Sequence, residues 1–134
     1  MSVRAAAPHA LALAAALTLG VPHRAYTQQV VFAAGVPTEL DSATRVALTH
    51  ELGQARLRGL PLEPLVAKVR EGTIKRAAPS RIRSAVAALA VRLDSARSAL
   101  GAASSAAELV AGADALSAGA DVPALRAVRA ASGA

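Results

Sequence analysis

Residues 79–101, PSRIRSAVAALAVRLDSARSALG, carry the longest periodic pattern in the chain. Apolar side chains recur there at alternating spacings of four and three, which places them along one side of an α-helix. We call this set the apolar stripe, and its members are Ile82, Val86, Leu89, Leu93, Ala96 and Leu100. Pro79 suits a first helical turn, and Gly101 suits a helix end. The pattern predicts a helix over residues 79–100 that organises the chain, with Leu89 at the centre of a stripe that packs internally or against a partner.

The segments before this helix predict two shorter ones. Thr38 is expected to cap the first, which runs to about Arg58, with Asp41 in a variant of the capping box. The second has Pro64 in its first turn and is expected to fray at Gly72. Its inner face consists of Leu62, Leu65, Val66 and Val69.

Two more helices are predicted after Gly101. Ser105 and Glu108 form a capping box that opens the fourth, and a short fifth covers residues 124–130. Prolines at 61, 79 and 123 mark the connections. We therefore predict an all-α fold of about five short-to-medium helices packed as antiparallel hairpins, forming a single helical domain over residues 38–134.

The N-terminal 25 residues resemble an export signal. Residues 10–21 form an uncharged apolar run that matches the central region of a signal peptide and is too short to span a membrane. Cleavage is expected near Ala25, with Gly20 or Ala33 as alternatives, followed by an extended leader over residues 26–37. Val31 and Phe32 of the leader are expected to dock on the helices. The prediction is a protein exported to the periplasm or beyond the cell, with no transmembrane span once the signal is removed.

Positive charge is concentrated in the middle of the chain. Eleven basic and four acidic residues fall between Arg45 and Arg97. Around the turn between the second and third predicted helices lies what we call the basic cluster, which consists of Lys68, Arg70, Lys75, Arg76, Arg81 and Arg83. Such a cluster is either a solvated helical face or a contact for a polyanion or an anionic surface. Sequence-specific binding of nucleic acid is not expected, because aromatic residues for base stacking are nearly absent.

The sequence gives little sign of catalytic chemistry. There is no cysteine, which excludes disulfides and thiol catalysis. His50 is the only histidine after the predicted signal, so no metal site is expected. No Gly-x-Ser-x-Gly motif or phosphate-binding glycine loop is present. We expect no enzyme activity and no cofactor.

Two segments, residues 59–93 and 112–130, resemble an uncharacterised family of small exported bacterial helical proteins. The first reads GLPLEPLVAKVREGTIKRAAPSRIRSAVAALAVRL and the second GADALSAGADVPALRAVRA. At residues 76–78 the sequence Arg-Ala-Ala departs from the Lys-Gly connection that such sequences often carry. The resemblance implies a helical exported protein, with no activity or functional residue to transfer.

Two functions are consistent with these observations. The preferred hypothesis is a non-catalytic exported helical protein that works through contact with an unidentified protein or with its own copies. The alternative is an envelope-associated binder of polyanions or anionic surfaces that uses the basic cluster. The salt dependence of binding separates them, because counterion-driven binding weakens steeply with salt.

Overall fold

The structure, a computed structural model, describes residues 35–132. This part contains five helices and no strand, which confirms the all-α prediction. The helices are α1 (Ser42–Leu57), α2 (Glu63–Ile74), α3 (Pro79–Leu100), α4 (Ala106–Ser117) and α5 (Val122–Ser132). The predicted signal peptide and residues 26–34 of the leader lie outside the described residues.

The first helix begins later than predicted. Its cap is Asp41, whose Oδ1 accepts a hydrogen bond of 2.9 Å from the backbone N–H of Thr44. Hydrogen bonding from the Thr44 side chain, and then from its backbone N–H, lowers the pKa of Asp41. The prediction that Thr38 caps α1 is therefore wrong. A carboxylate at the cap both accepts from the free N–H groups and opposes the positive end of the helix dipole, which favours Asp41.

The second helix passes through Gly72 and ends at Ile74, so the prediction of fraying at Gly72 is wrong. The reason is a close approach between helices. A Cβ atom at Gly72 would lie 2.7 Å from Cγ1 of Ile82 in α3, so this glycine lets α2 and α3 come together. Residues 75–78 form the turn, with Arg76 at a φ of 51°.

The ends of α3 and the start of α4 follow the predicted signals, whereas α5 is longer than predicted. Pro79 lies in the first turn of α3, and the helix stops at Gly101, which has a φ of 99°. The capping box of α4 is present in both directions: Ser105 Oγ accepts from the N–H of Glu108, and Glu108 Oε2 accepts from the N–H of Ser105. The fifth helix starts at Val122, two residues before the prediction, with Asp121 Oδ1 accepting from the N–H of Ala124 at 2.8 Å.

The long helix α3 is the centre of the fold, as the periodic pattern predicts. Each of the other four helices packs extensively on α3. The connections α2–α3 and α3–α4 are short turns between contacting helices, which makes two antiparallel hairpins that share α3. The fifth helix also packs on α3.

The core is aliphatic. Its buried hydrophobic residues are Val36, Leu48, Leu52, Ala55, Leu60, Leu65, Val66, Val69, Ile82, Val86, Ala90, Leu93, Ala96, Leu109, Ala113 and Leu125. Phe, Tyr and Trp do not occur in residues 35–132, so none contributes to this core. Four of these sixteen residues are alanines, which bury little area each, so close approach of the helices has to replace large side chains at those positions.

Candidate interaction surface

The apolar stripe lies mainly inside the fold. Ile82, Val86, Leu93 and Ala96 are buried, whereas Leu89 and Leu100 are half-buried and pack against the edge of the core. The residue that shares the centre with Val86 and Leu93 is Ala90, which is fully buried and which the pattern did not single out. Because the other helices pack on α3 and bury four of the six members, most of the stripe is not available to a partner.

Two of the six members of the basic cluster are engaged in ion pairs. Lys68 donates to Glu71 Oε2 at 2.6 Å, and Lys75 donates to Glu71 Oε1 from the opposite side. The hydrogen bonds from Lys68 and Lys75, together with their positive charges, lower the pKa of Glu71 to about 2. Glu71 therefore neutralises part of the cluster along one edge of α2.

The remaining four members are exposed arginines that do not form one patch. Arg81 lines a small hollow between α2 and α3 together with Lys68 and Lys75. Arg83 is two residues further along α3, about 200° away around the helix, and faces α1 instead. Arg70 and Arg76 are exposed and line neither hollow. The structure thus brings three cations around one hollow and separates the other three.

A larger depression, which we call the α1/α3 groove, lies between the first and third helices. It has a volume of about 1010 Å³. Its walls are Ser42, Ala43, Val46, Ala47, Leu48, His50 and Glu51 from α1 and Arg83, Ser84 and Ala87 from α3. The lining is mostly apolar and consists largely of small side chains, with charged groups at the rim. A site of this size can accommodate several side chains of a peptide segment.

The helix α1 also carries apolar side chains on its outward side. Val46 is 68% exposed and Leu57 is 76% exposed. Eleven residues separate them, which is close to three helical turns, so both lie on the side opposite the buried Leu48 and Leu52. We call this side, with His50 and Gly53 between the two, the outer face of α1. Across the groove, Val91 of α3 is 62% exposed and lies one turn beyond Ala87.

The sequence did not reveal this surface, because it depends on how α1 packs against α3. The apolar residues of α1 cover more than one side of the helix, and their pattern alone does not tell which of them face α3. A feature that could have indicated it is the pair Val46 and Leu57, which repeats at three turns but lies off the inner face of α1.

Arg97 is a second residue that the pattern did not identify. Its Nη1 donates to the carbonyl oxygen of Gly59 at 2.6 Å and ties the end of α3 to the chain just after α1. Gly59 has a φ of 69°, which glycine adopts without strain. Since the starts of α1 and α3 line one groove and Arg97 joins their ends, the two helices run roughly parallel.

Other site types have no support in residues 35–132. This part of the chain contains no group of three or more metal-ligating side chains. His50 lies on the outer face of α1, where it lines the groove. None of the described helices combines the length and the apolar character that crossing a membrane requires.

Comparison of the chain with protein-family models, with curated proteins and with solved structures finds no match. The resemblance to exported bacterial helical proteins therefore stays a prediction.

Proposed function

We propose that the chain is a non-catalytic exported helical protein that acts through contact with another protein or with its own copies. The observation that carries this proposal is the outer face of α1 beside the α1/α3 groove. Val46 stands exposed at the edge of an apolar depression, and Leu57 extends the same face by three turns. Grooves and exposed apolar patches of this kind are typical of sites that bind a helix or an extended peptide.

The energetic reason is the area that a partner would cover. Complete burial of a Val or Leu side chain contributes about 1.5–3 kcal/mol. Val46 and Leu57 retain most of their exposure in the folded chain, so most of that contribution is still available. The stripe on α3 has no comparable area to offer, because its members are already buried or half-buried. The contact surface is therefore assigned to α1 and not to the apolar stripe.

The test uses two variants matched in chemistry. Val46→Ser with Leu57→Ser removes the apolar side chains of the outer face. Ile74→Ser with Val128→Ser removes two exposed apolar side chains elsewhere and serves as the control. Sedimentation at several protein concentrations and affinity capture from the native envelope are compared for both variants. The proposal expects loss of association with the first pair only, and equal behaviour of the two variants contradicts it.

Export is part of the proposal and is supported by the charge, length and apolar run of residues 1–25. We place the mature protein in the periplasm or outside the cell. Mass spectrometry of protein recovered from the envelope and medium tests this assignment. The expected N-terminus lies near residue 26, and recovery of a chain that still carries residues 1–25 argues against export.

A polyanion or anionic surface is the second candidate partner. The observation in its favour is that Arg70, Arg76, Arg81 and Arg83 are exposed and form no ion pair within residues 35–132. The pairing of Lys68 and Lys75 with Glu71 weakens this candidate relative to the first.

Heparin chromatography at low salt separates the two candidates. Arg76, Arg81 and Arg83 are replaced by Gln, and the control replaces Arg56, Arg58 and Arg126 by Gln with the same change in charge. Retention that is lost only in the first variant supports the polyanion. Equal retention of both variants rules out a specific role for the basic cluster, since bulk charge then explains the binding.

A further inference from the structure

The α1/α3 groove is continuous with a second hollow on the other flank of α1. This hollow has a volume of about 490 Å³ and is lined by Val36, Thr38, Ser42, Arg45, Val46, Thr49 and His50. Ser42, Val46 and His50 line both depressions, so the two meet along one ridge of α1. Val36 stands at the edge of this ridge and is only 7% exposed. The chain that precedes Val36 therefore approaches the body beside the groove.

The preceding segment has the composition of an apolar ligand. Residues 26–34 read YTQQVVFAA, carry no charge and contain the only Tyr and the only Phe of the sequence. The groove has small side chains where a large one would fit, with Ala43 and Ala47 on α1 and Ala87 on α3. An aromatic ring buries about 150–250 Å². Phe32 is thus the one large apolar side chain close to Val36 that complements this lining.

The length of the segment also fits. Nine residues in an extended conformation span up to about 30 Å. The stretch of α1 that lines the groove, from Ser42 to Glu51, rises by about 14 Å. The segment can therefore cross the ridge at Val46 and still run the length of the groove.

We infer that residues 26–34 of the same chain occupy the α1/α3 groove, with Val31 and Phe32 as its apolar anchors. A tethered segment of this length has an effective concentration in the millimolar range, which favours it over the same segment of another copy. The inference goes beyond the proposed function: it assigns the groove an occupant from the same chain, and Leu57 of the outer face stays exposed for a partner.

Disulfide cross-linking tests the inference cleanly, because the natural chain has no cysteine. The mature chain carries Phe32→Cys with Ala87→Cys, and the control carries Phe32→Cys with Ala88→Cys. Ala88 is exposed and lies next to Ala87 but about 100° away around α3. Under a mild oxidant, the pair with position 87 should form an intramolecular disulfide at least about ten-fold faster, since the bond requires Cα atoms within about 7 Å. Circular dichroism checks that both variants are folded.

Two outcomes overturn the inference. Equal rates for positions 87 and 88 show that residue 32 does not reside in the groove. Covalent dimers that persist on dilution show that the segment binds a second copy instead.

A measurement without cysteine gives an independent check. Val31→Ser with Phe32→Ser should lower the melting temperature, and Gln28→Ser with Gln29→Ser should leave it unchanged. Equal melting temperatures of the two variants contradict the inference. Failure of the proposed function would give a different pattern. The outer-face variants would then associate normally, while the cross-link at position 87 would still form.

Discussion

Two helical glycines should respond in opposite directions to replacement by alanine. Gly53 lies within α1, and Gly72 lies near the end of α2. Alanine is favoured over glycine in a helix interior by about 0.8–1.0 kcal/mol. A Cβ atom at Gly53 would have no atom within 4 Å to clash with. Gly53→Ala should therefore stabilise the fold by about 0.5–1 kcal/mol, and each kcal/mol raises the melting temperature of a domain of this size by about 4–8 °C.

At Gly72 the steric term exceeds the helix propensity. The new Cβ would lie 2.7 Å from Cγ1 and 3.2 Å from Cδ1 of Ile82. Ile82 is buried and branched at Cβ, so Cγ1 has few alternative positions. Either α2 must move away from α3 or Ile82 must leave its preferred rotamer, and overpacking of this kind typically costs about 1–3 kcal/mol. After the gain in propensity, Gly72→Ala should destabilise by up to about 2 kcal/mol.

Urea or thermal unfolding followed by circular dichroism measures both variants. A double-mutant cycle with Ile82→Ala identifies the cause, because removal of the larger side chain should make Gly72→Ala neutral or stabilising in that background. The reasoning is refuted if Gly72→Ala stabilises the natural chain as much as Gly53→Ala does. The same result would mean that α2 and α3 do not approach each other closely at this point.

Three further predictions concern the core, the ion pairs and a helix cap. Leu93→Ala should cost about 2–5 kcal/mol in unfolding experiments, because Leu93 is 0% exposed. Leu89 is half-buried, so Leu89→Ala should cost less than about 2 kcal/mol. Equal losses would show that Leu89 is the centre of the packed stripe after all. The pKa of Glu71 is lowered from 4.5 to about 2, so its ion pairs should contribute stability above pH 4.5 that is lost as the pH falls towards 2. Glu71→Gln should remove that part of the pH dependence in unfolding curves, and an unchanged profile would contradict it. Ser105→Ala should cost about 1 kcal/mol of stability, because it removes the capping box. Ser104→Ala should cost almost nothing, because the buried Ser104 Oγ has no hydrogen-bond partner. Thermal melts compare the two variants.

The helices were predictable because their signals are local. The apolar stripe has a period of 3.6, Pro79 fits a first turn, and Ser105 and Glu108 have the spacing of a capping box. The first cap was missed because Thr38 and Asp41 both carry suitable oxygens three residues apart. The choice between them depends on the backbone, which is extended at Asp41 with a ψ of 156°.

The surfaces were less predictable because they depend on which helices are neighbours. The ion pair of Glu71 with Lys75 follows from their spacing in one helix. That Arg81 and Arg83 line different hollows follows only once α2 and α1 are known to flank opposite sides of α3. The groove needs the same information, since its wall is made by α1 and α3, whose nearest ends, Leu57 and Pro79, are 22 positions apart in the sequence. Sequence periodicity describes one helix at a time and cannot supply it.

The small residues that make this core thin also determine how it is held together. A Cβ atom at Gly112 would lie 3.0 Å from the Cβ of Ala96 and 3.1 Å from Cδ1 of Leu100, so α4 sits as close to α3 as backbone and methyl groups permit. Gly72 has the corresponding role between α2 and α3. Dispersion contacts fall off steeply with separation, so close approach compensates for the small area that alanine and glycine bury. It follows that an added methyl group at Gly72, with its 2.7 Å contact, should harm the fold more than one at Gly112, where a shift of a few tenths of an ångström by Ala96 and Leu100 makes room.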